Sequence, residues 1–302
     1  MLIHDILELE DEENIYFVEE SFASLKNNAL SLHYLEIIKE HPEEMINGVV
    51  DEDGEIIGLA LLNENFWAIF TNLISSIPSP NKSSFVFSKI ANKLKLNNIY
   101  KTNREQFITA IIEYYSLALV NRQLCNNCSI KKEPYEMVYI KDRNSRLKKL
   151  LNTYQLHGKI LEIGCGNGMS TLSLHELGYV PLAIDIDKCQ ICQGLEHEVL
   201  DPRKTIVMDA KQLSDFFPAN CFDTITGFMM GSIYPFNKDV WVKIMQECIE
   251  VLKTKGMILL TTNKKEEIQI LKNALEKNVS GEIIDNTDEK GVYDQWVYIG
   301  YK

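Results

Sequence analysis

Three glycines at alternate positions, Gly164, Gly166 and Gly168, stand in the stretch LEIGCGNG, with the acid Glu162 two residues ahead of the first. Chain this bare either turns tightly or lets a ligand lie against its backbone. The apolar run KILEI (159–163) ahead of it reads as a buried strand, and MSTLSLHEL (169–177) behind it reads as a helix. The turn therefore sits at a helix N-terminus, an arrangement that receives nucleotide-like ligands. Its spacing lacks the third glycine of the dinucleotide fingerprint and the lysine of the triphosphate-binding loop. An acid beside such a turn suits a ligand that carries a positive group and no phosphate. S-adenosylmethionine, an adenosine joined to a sulfonium and an amino-acid tail, has that chemistry.

A second set of residues suggests a metal. Four of the seven cysteines form two C-x-x-C pairs, Cys125 with Cys128 and Cys189 with Cys192. Two such pairs supply the four thiolates of a tetrahedral zinc site or an iron–sulfur cluster. The 60-residue gap between them is longer than in compact zinc modules. Cys189 and Cys192 are also one helical turn apart, as ordinary buried thiols would be. Gly194, which shortens the following helix, favours the metal.

The elements that must position these residues follow from apolar periodicity. From residue 159 onwards short apolar runs alternate with amphipathic segments. The runs are KILEI, VPLAID (180–185), TIVMD (205–209), FDTITGF (222–228), GMILLTT (256–262), GEIID (281–285) and QWVYIGY (295–301). Such alternation predicts an α/β, doubly wound, mostly parallel seven-stranded sheet. Only a turn separates the last two strands, so the final one is expected to enter antiparallel. Residues 1–145 read as a mostly helical N-terminal domain with a small β-hairpin. Helices are expected over 14–40, with Ile15, Val18, Phe22 and Leu25 at helical spacing, and over 66–77, 103–124 and 142–154. The hairpin is expected over 45–62 around Asp53-Gly54. The second domain then spans 146–302.

KILEIGCGNG resembles the first motif of the class I, Rossmann-like S-adenosylmethionine-dependent methyltransferases, and the resemblance continues through residues 155–302. It implies that Glu162, Gly164, Cys165, Gly166 and Gly168 cradle the donor. VPLAIDID resembles the second-strand end, where Asp185 would hold the ribose hydroxyls with Ile186 beside it. IVMDAKQL resembles the adenine segment, with Asp209 at the amine and the Ala210 backbone at the ring. GFMMGSIYPF (227–236) occupies the place where that family lines the pocket beside the sulfonium. Here Phe228, Met229 and Met230 form an apolar wall, and Ser232 and Tyr234 are the nearby hydroxyls, hence the candidates for catalysis. The segment matches neither the Asn-Pro-Pro-Tyr of amino-methylating enzymes nor a segment with a nucleophilic cysteine, which leaves the acceptor atom open. Residues 1–140 resemble no family.

The chain carries a net charge of −12, divided unevenly. Residues 1–80 hold 17 acids and 2 bases, whereas residues 81–160 hold 15 bases and 5 acids. The basic stretch could face a polyanion, or fold against the acidic one within a single domain. The acidic opening MLIHDILELEDEE is unlike a secretory signal, and no apolar stretch reaches the length of a membrane span. The expectation is a cytoplasmic methyltransferase with S-adenosylmethionine as donor. Its acceptor would be a small metabolite or a protein side chain in preference to RNA, and its N-terminal domain a lid that selects the acceptor. An aminopropyl transferase on the same scaffold, or a non-catalytic S-adenosylmethionine-binding regulator, would share the motifs.

Overall fold

The computed structural model describes residues 1–40, 45–124, 139–289 and 291–302. The chain divides into two compact units, Met1–Asn126 and Asn127–Lys302. No helix among the described residues is long and apolar enough to cross a membrane.

The first unit contains α1 (Leu2–Leu7), β1 (Asn14–Phe17), α2 (Ala29–Glu40), β2 (Ile46–Val50), β3 (Ile56–Asn63), β4 (Phe66–Thr71), α3 (Lys82–Ala91), β5 (Asn98–Lys101) and α4 (Arg104–Val120). Short 3₁₀ turns occupy Ser24–Lys26 and Ile74–Ser76. The expected hairpin is present as β2 and β3, joined through a turn in which Asp51 Oδ1 accepts the Asp53 and Glu55 backbone N–H groups. It is, however, the centre of a five-stranded sheet of order β1-β4-β3-β2-β5, so the unit is mixed α/β and not helical around one hairpin.

Two expected helices depart from expectation: 14–40 is helical only over Ala29–Glu40 and begins with the strand β1, and 66–77 begins with the strand β4. In β1 the buried residues are Ile15 and Phe17, a period of two, and of the helically spaced set only Ile15 lies in it; Leu25 is in the 3₁₀ turn. In β4, Trp67, Ile69 and Phe70 are all buried between neighbouring strands. A strand covered on both faces is a continuous apolar run, and periodicity alone cannot separate it from a buried helix.

The second unit opens with α5 (Lys141–Thr153), which a boundary at 145/146 would cut. Leu147, Leu150 and Leu151 explain its placement. They pack with Ile160, Leu174, Leu259 and Val297 in one core cluster of this unit. There follow β6 (Ile160–Ile163), α6 (Met169–Glu176), β7 (Leu182–Asp185), α7 (Lys188–Glu196), β8 (Thr205–Val207), α8 (Leu213–Phe216), β9 (Phe222–Gly227), α9 (Lys238–Val251), β10 (Leu252–Thr262), α10 (Lys265–Leu275), β11 (Ser280–Asp285) and β12 (Trp296–Tyr301). The seven strands run β11-β12-β10-β9-β6-β7-β8. All neighbouring pairs from β10 to β8 are parallel, while β12 lies antiparallel between β10 and β11. The order reverses at β6, whose two neighbours are β7 and β9. In an open α/β sheet that switch point is where a crevice opens at the carboxyl ends of the strands.

The glycine turn follows β6, and α7 packs against it. A Cβ on Gly194 would lie 2.7 Å from the Asn167 carbonyl oxygen and 2.6 Å from Leu200 Cδ1. Close approach of helix to turn therefore accounts for this glycine without a metal. Gly194→Ala is expected to destabilise the protein by about 1–3 kcal/mol through overpacking, measured by denaturant unfolding. A neutral result would show that α7 can shift away from the turn.

Candidate functional site

The glycine turn is held open by its own backbone and by one carboxylate. Gly164, Gly166 and Gly168 have φ of +66°, +55° and +86°. A Cβ on Gly168 would meet Val199 and Leu200 at 2.8 Å, so this glycine serves packing. At Gly166 a Cβ would meet nothing nearer than Gln190 Oε1 at 3.7 Å, so here the bareness leaves space instead of relieving a clash. Asp185, at the end of β7, fixes the turn: its Oδ2 accepts the Gly166 N–H at 2.8 Å and its Oδ1 accepts the Asp187 N–H at 2.8 Å. Asp187 has a separate task. Its side chain accepts from the Cys189 and Gln190 N–H groups and caps α7.

A cavity of about 310 Å³ opens beside this turn. Ile163, Gly164, Ile184, Asp185 and Ile186 line one side, and Met208, Asp209 and Ala210 line the β8 end. Met229, Met230 and Gly231, with Trp241 and Ile244 of α9, close the third side. Ile186 keeps 66% of its surface exposed, a large apolar area at the mouth. Asp209 Oδ1 accepts the Lys211 N–H, and Lys211 Nζ sits 3.1 Å from Oδ2. The site thus combines an apolar slot with two carboxylates at adjacent strand ends, a pattern suited to a flat ring carrying hydroxyl and amine donors.

Glu162 lies on β6 and is fully buried. Thr171 Oγ1 donates to its Oε2 at 2.7 Å, and Oε1 has no hydrogen-bond partner among the described residues. Burial pushes its carboxyl up to about 7, helped by the Asp185 charge and opposed by Thr171 and Arg143. Cys165 is buried too, and burial together with the Glu162 and Asp185 charges drives its thiol well above the ordinary range. It is a neutral, space-filling side chain, not a nucleophile.

The structure brings Glu162, Gly164, Cys165, Gly166, Gly168, Asp185, Ile186, Asp209 and Ala210 to one strand-end region. It places the remaining expected residues elsewhere. Phe228 turns away from the cavity into the core with Leu147, Leu151 and Leu259, where its ring buries more apolar area. Ser232 and Tyr234 stand on an exposed loop outside the cavity wall. Asn237 pins that loop, accepting from the Tyr234 N–H and donating to the Ser232 carbonyl. Tyr234 stacks on Phe236 with centroids 5.3 Å apart. Cys189 is exposed and Cys192 is buried on α7, whereas Cys125 and Cys128 lie outside the described residues. Among the described residues no three His, Cys, Asp or Glu side chains cluster as metal ligands would.

Residues 160–256, from the start of β6 into β10, match the family described as a methyltransferase domain. By this match the segment resembles a methyltransferase domain. Solved structures similar to the chain include a protein from Pyrococcus horikoshii OT3, 20% identical, with 53% of this chain and 89% of that one covered and a TM-score of 0.42. A SAM-dependent methyltransferase from Archaeoglobus fulgidus is 15% identical, with 53% and 94% covered and a TM-score of 0.40. The N-methyltransferase NodS from Bradyrhizobium japonicum is 16% identical, with 53% and 93% covered and a TM-score of 0.39. No curated protein matches the chain.

Trp241, Ile244 and Met208 of the second unit line the cavity without having been singled out in the sequence. Trp241 carried the only signal, a large aromatic in the first turn of the helix after the fourth strand.

The ionisation of Glu162 makes stability depend on pH. Its folded-state carboxyl is raised above the ordinary 4.5, so its contribution is fully present below that value and is lost as pH rises through about 7. A rise of that size, at about 1.4 kcal/mol per pH unit, sets a ceiling of about 3 kcal/mol. Unfolding of the ligand-free protein measured from pH 5 to 8 should show falling stability, and Glu162→Gln should flatten the slope. A slope unchanged in the variant would assign the dependence to other groups.

Proposed function

We propose that the protein is an enzyme that uses S-adenosylmethionine to methylate a small metabolite or a protein side chain. One observation carries the reading: the Asp185 carboxylate bridges the open glycine turn and the second strand end at the mouth of an apolar slot. The residues present fit the donor. Asp185 would take the ribose hydroxyls, and Asp209 the adenine amine. Ile186, Met208 and Ala210 would enclose the ring. The buried Glu162, with one oxygen unpartnered, supplies negative charge for the cationic end. The bareness at Gly166 leaves room for the donor to lie against the backbone.

When bound, the donor supplies a methyl group on a sulfonium, whose departure as a neutral thioether needs no acid. The protein's share is orientation, which can lower a barrier by several kcal/mol. Met229, Met230 and Trp241 exclude water from one side of the slot. Among the described residues Asp185 and Asp209 are the only titratable side chains lining the cavity, and both are engaged by backbone N–H groups. This favours an acceptor that arrives with an available lone pair over one that must first lose a proton to a dedicated base.

Calorimetry with S-adenosylmethionine and the 302-residue chain tests the reading. Gly166→Val should abolish binding, since the new side chain enters the ligand's space at a backbone angle that β-branched residues avoid. Asp185→Ala should weaken binding by about 1–3 kcal/mol. Asp187→Ala should leave affinity nearly unchanged and instead cost about 1 kcal/mol of stability through the lost cap. Unaltered affinity in Gly166→Val, or a larger loss of affinity at Asp187 than at Asp185, would contradict the assignment. Stronger binding of the decarboxylated donor would favour aminopropyl transfer.

A further inference from the structure

Two walls of the cavity come from segments far apart in the chain, Gly164 of the glycine turn that leads into α6 on one side and Met229–Met230 on the other. One buried polar chain connects them. Arg143 of α5, with 15% of its side chain exposed, donates from Nε to Asp294 Oδ2 at 2.8 Å and from Nη2 to Ser170 Oγ at 2.9 Å. Ser170 is the second residue of α6, two positions beyond Gly168. The guanidinium lies 5.1 Å from the centroid of the Tyr293 ring, which holds its plane. Asp294, in the β11–β12 connection, is 4% exposed and has φ +53°. Its Oδ1 accepts from Thr261 Oγ1 at 2.5 Å. Thr261, near the end of β10, accepts the Met229 N–H on Oγ1 at 2.8 Å and the Met230 N–H on its carbonyl at 2.9 Å.

The direction of these bonds is fixed. A hydroxyl has one proton; Thr261 gives it to Asp294 and is left to accept from Met229. Met229 itself has φ +50°, a conformation unfavourable for a side chain of its size. It also accepts, on Sδ, the Asp294 N–H at 3.0 Å. A non-glycine residue in this region persists when its surroundings over-determine it, and here both its backbone N–H and its sulfur are held.

Burying an arginine–aspartate pair adds little stability compared with an apolar core. Its geometric consequence is larger, because a planar fork with two fixed directions sets two partners at once. Resting on the donor-binding reading above, we infer that Arg143, Asp294 and Thr261 are positioning residues that set the glycine-turn wall and the methionine wall of the donor cavity against each other. None of the three lines the cavity.

The 302-residue chain labelled with ¹³C-methyl methionine provides the test, with S-adenosylhomocysteine as the ligand in calorimetry. Thr261→Val and Asp294→Asn should each move the Met229 and Met230 methyl resonances and weaken binding about tenfold. The double variant should bind about as weakly as either single one, and Thr261→Ser should restore both readouts. Arg143→Lys, which keeps the charge but cannot reach Asp294 and Ser170 together, gives an independent variant should Thr261→Val fail to fold. It should also weaken binding while the protein stays folded. Unmoved methyl resonances with unchanged affinity in folded Asp294→Asn and Arg143→Lys would overturn the inference. So would a Thr261→Ser variant as impaired as Thr261→Val. If the wild-type chain binds no S-adenosylhomocysteine, the donor reading fails, while the methyl resonances still decide whether the strut sets the wall.

Discussion

The carboxylate of Asp185 accepts the Gly166 N–H on one oxygen and the Asp187 N–H on the other. These two bonds join the turn after β6 to the end of β7, and the form of the cavity depends on them. Without the first, the turn would keep only the Cys165 N–H bond to the Ile184 carbonyl and the Gly168 N–H bond to the Cys165 carbonyl, and its three positive-φ glycines would be ordered less firmly, because glycine loses more conformational freedom on ordering than any other residue. Without the second, the chain would enter α7 at a different angle and move the Asp187 cap. The packing of Gly168 and Gly194 beside Leu200 continues the same constraint outward. The turn is thus fixed from two sides while Gly166, between them, is left bare.

Around this centre the domain tolerates groups that weaken a fold. Glu162 is buried beside Asp185 with one oxygen unpartnered, and its ionisation opposes folding as the pH passes neutrality. Met229 and Asp294 hold left-handed backbone. An arginine–aspartate pair occupies space that leucines would fill at less cost. All of these lie at or directly behind the carboxyl ends of the strands, and none lies in the leucine-rich cluster beneath α5 and α6. Such clustering is expected where a site needs charge and defined geometry more than it needs stability.

The second unit was legible in the sequence because its signals are local. KILEI, the glycines and MSTLSLHEL are contiguous, so strand, turn and helix could be read in one window, and Asp185 follows from a strand end. The antiparallel β12 followed from the short connection after β11. Phe228 was misplaced because a residue at a strand end can face either way, and the core offered its ring more burial. Arg143 was invisible for another reason. In RNSRLKKLL it reads as one charge of a solvated helix face, and the partner that buries it stands 151 positions later. The first unit was legible only in part, in its hairpin and in the helices α2 and α4, because the helical spacing from Ile15 to Leu25 crosses a short strand and a 3₁₀ turn, and β4 is a continuous apolar run. Its five-stranded sheet pairs β1 with β4 and β2 with β5, contacts between segments that no local pattern links.

The most direct measurement is a crystal structure of the 302-residue chain grown with S-adenosylhomocysteine. The expected result is the ribose hydroxyls on the Asp185 carboxylate, the adenine between Ile186 and Ala210, and the sulfur facing the Met229–Met230 wall. Ligand density at another surface, or an empty cavity under saturating ligand with Gly166 unchanged, would contradict the donor site and with it the proposed chemistry.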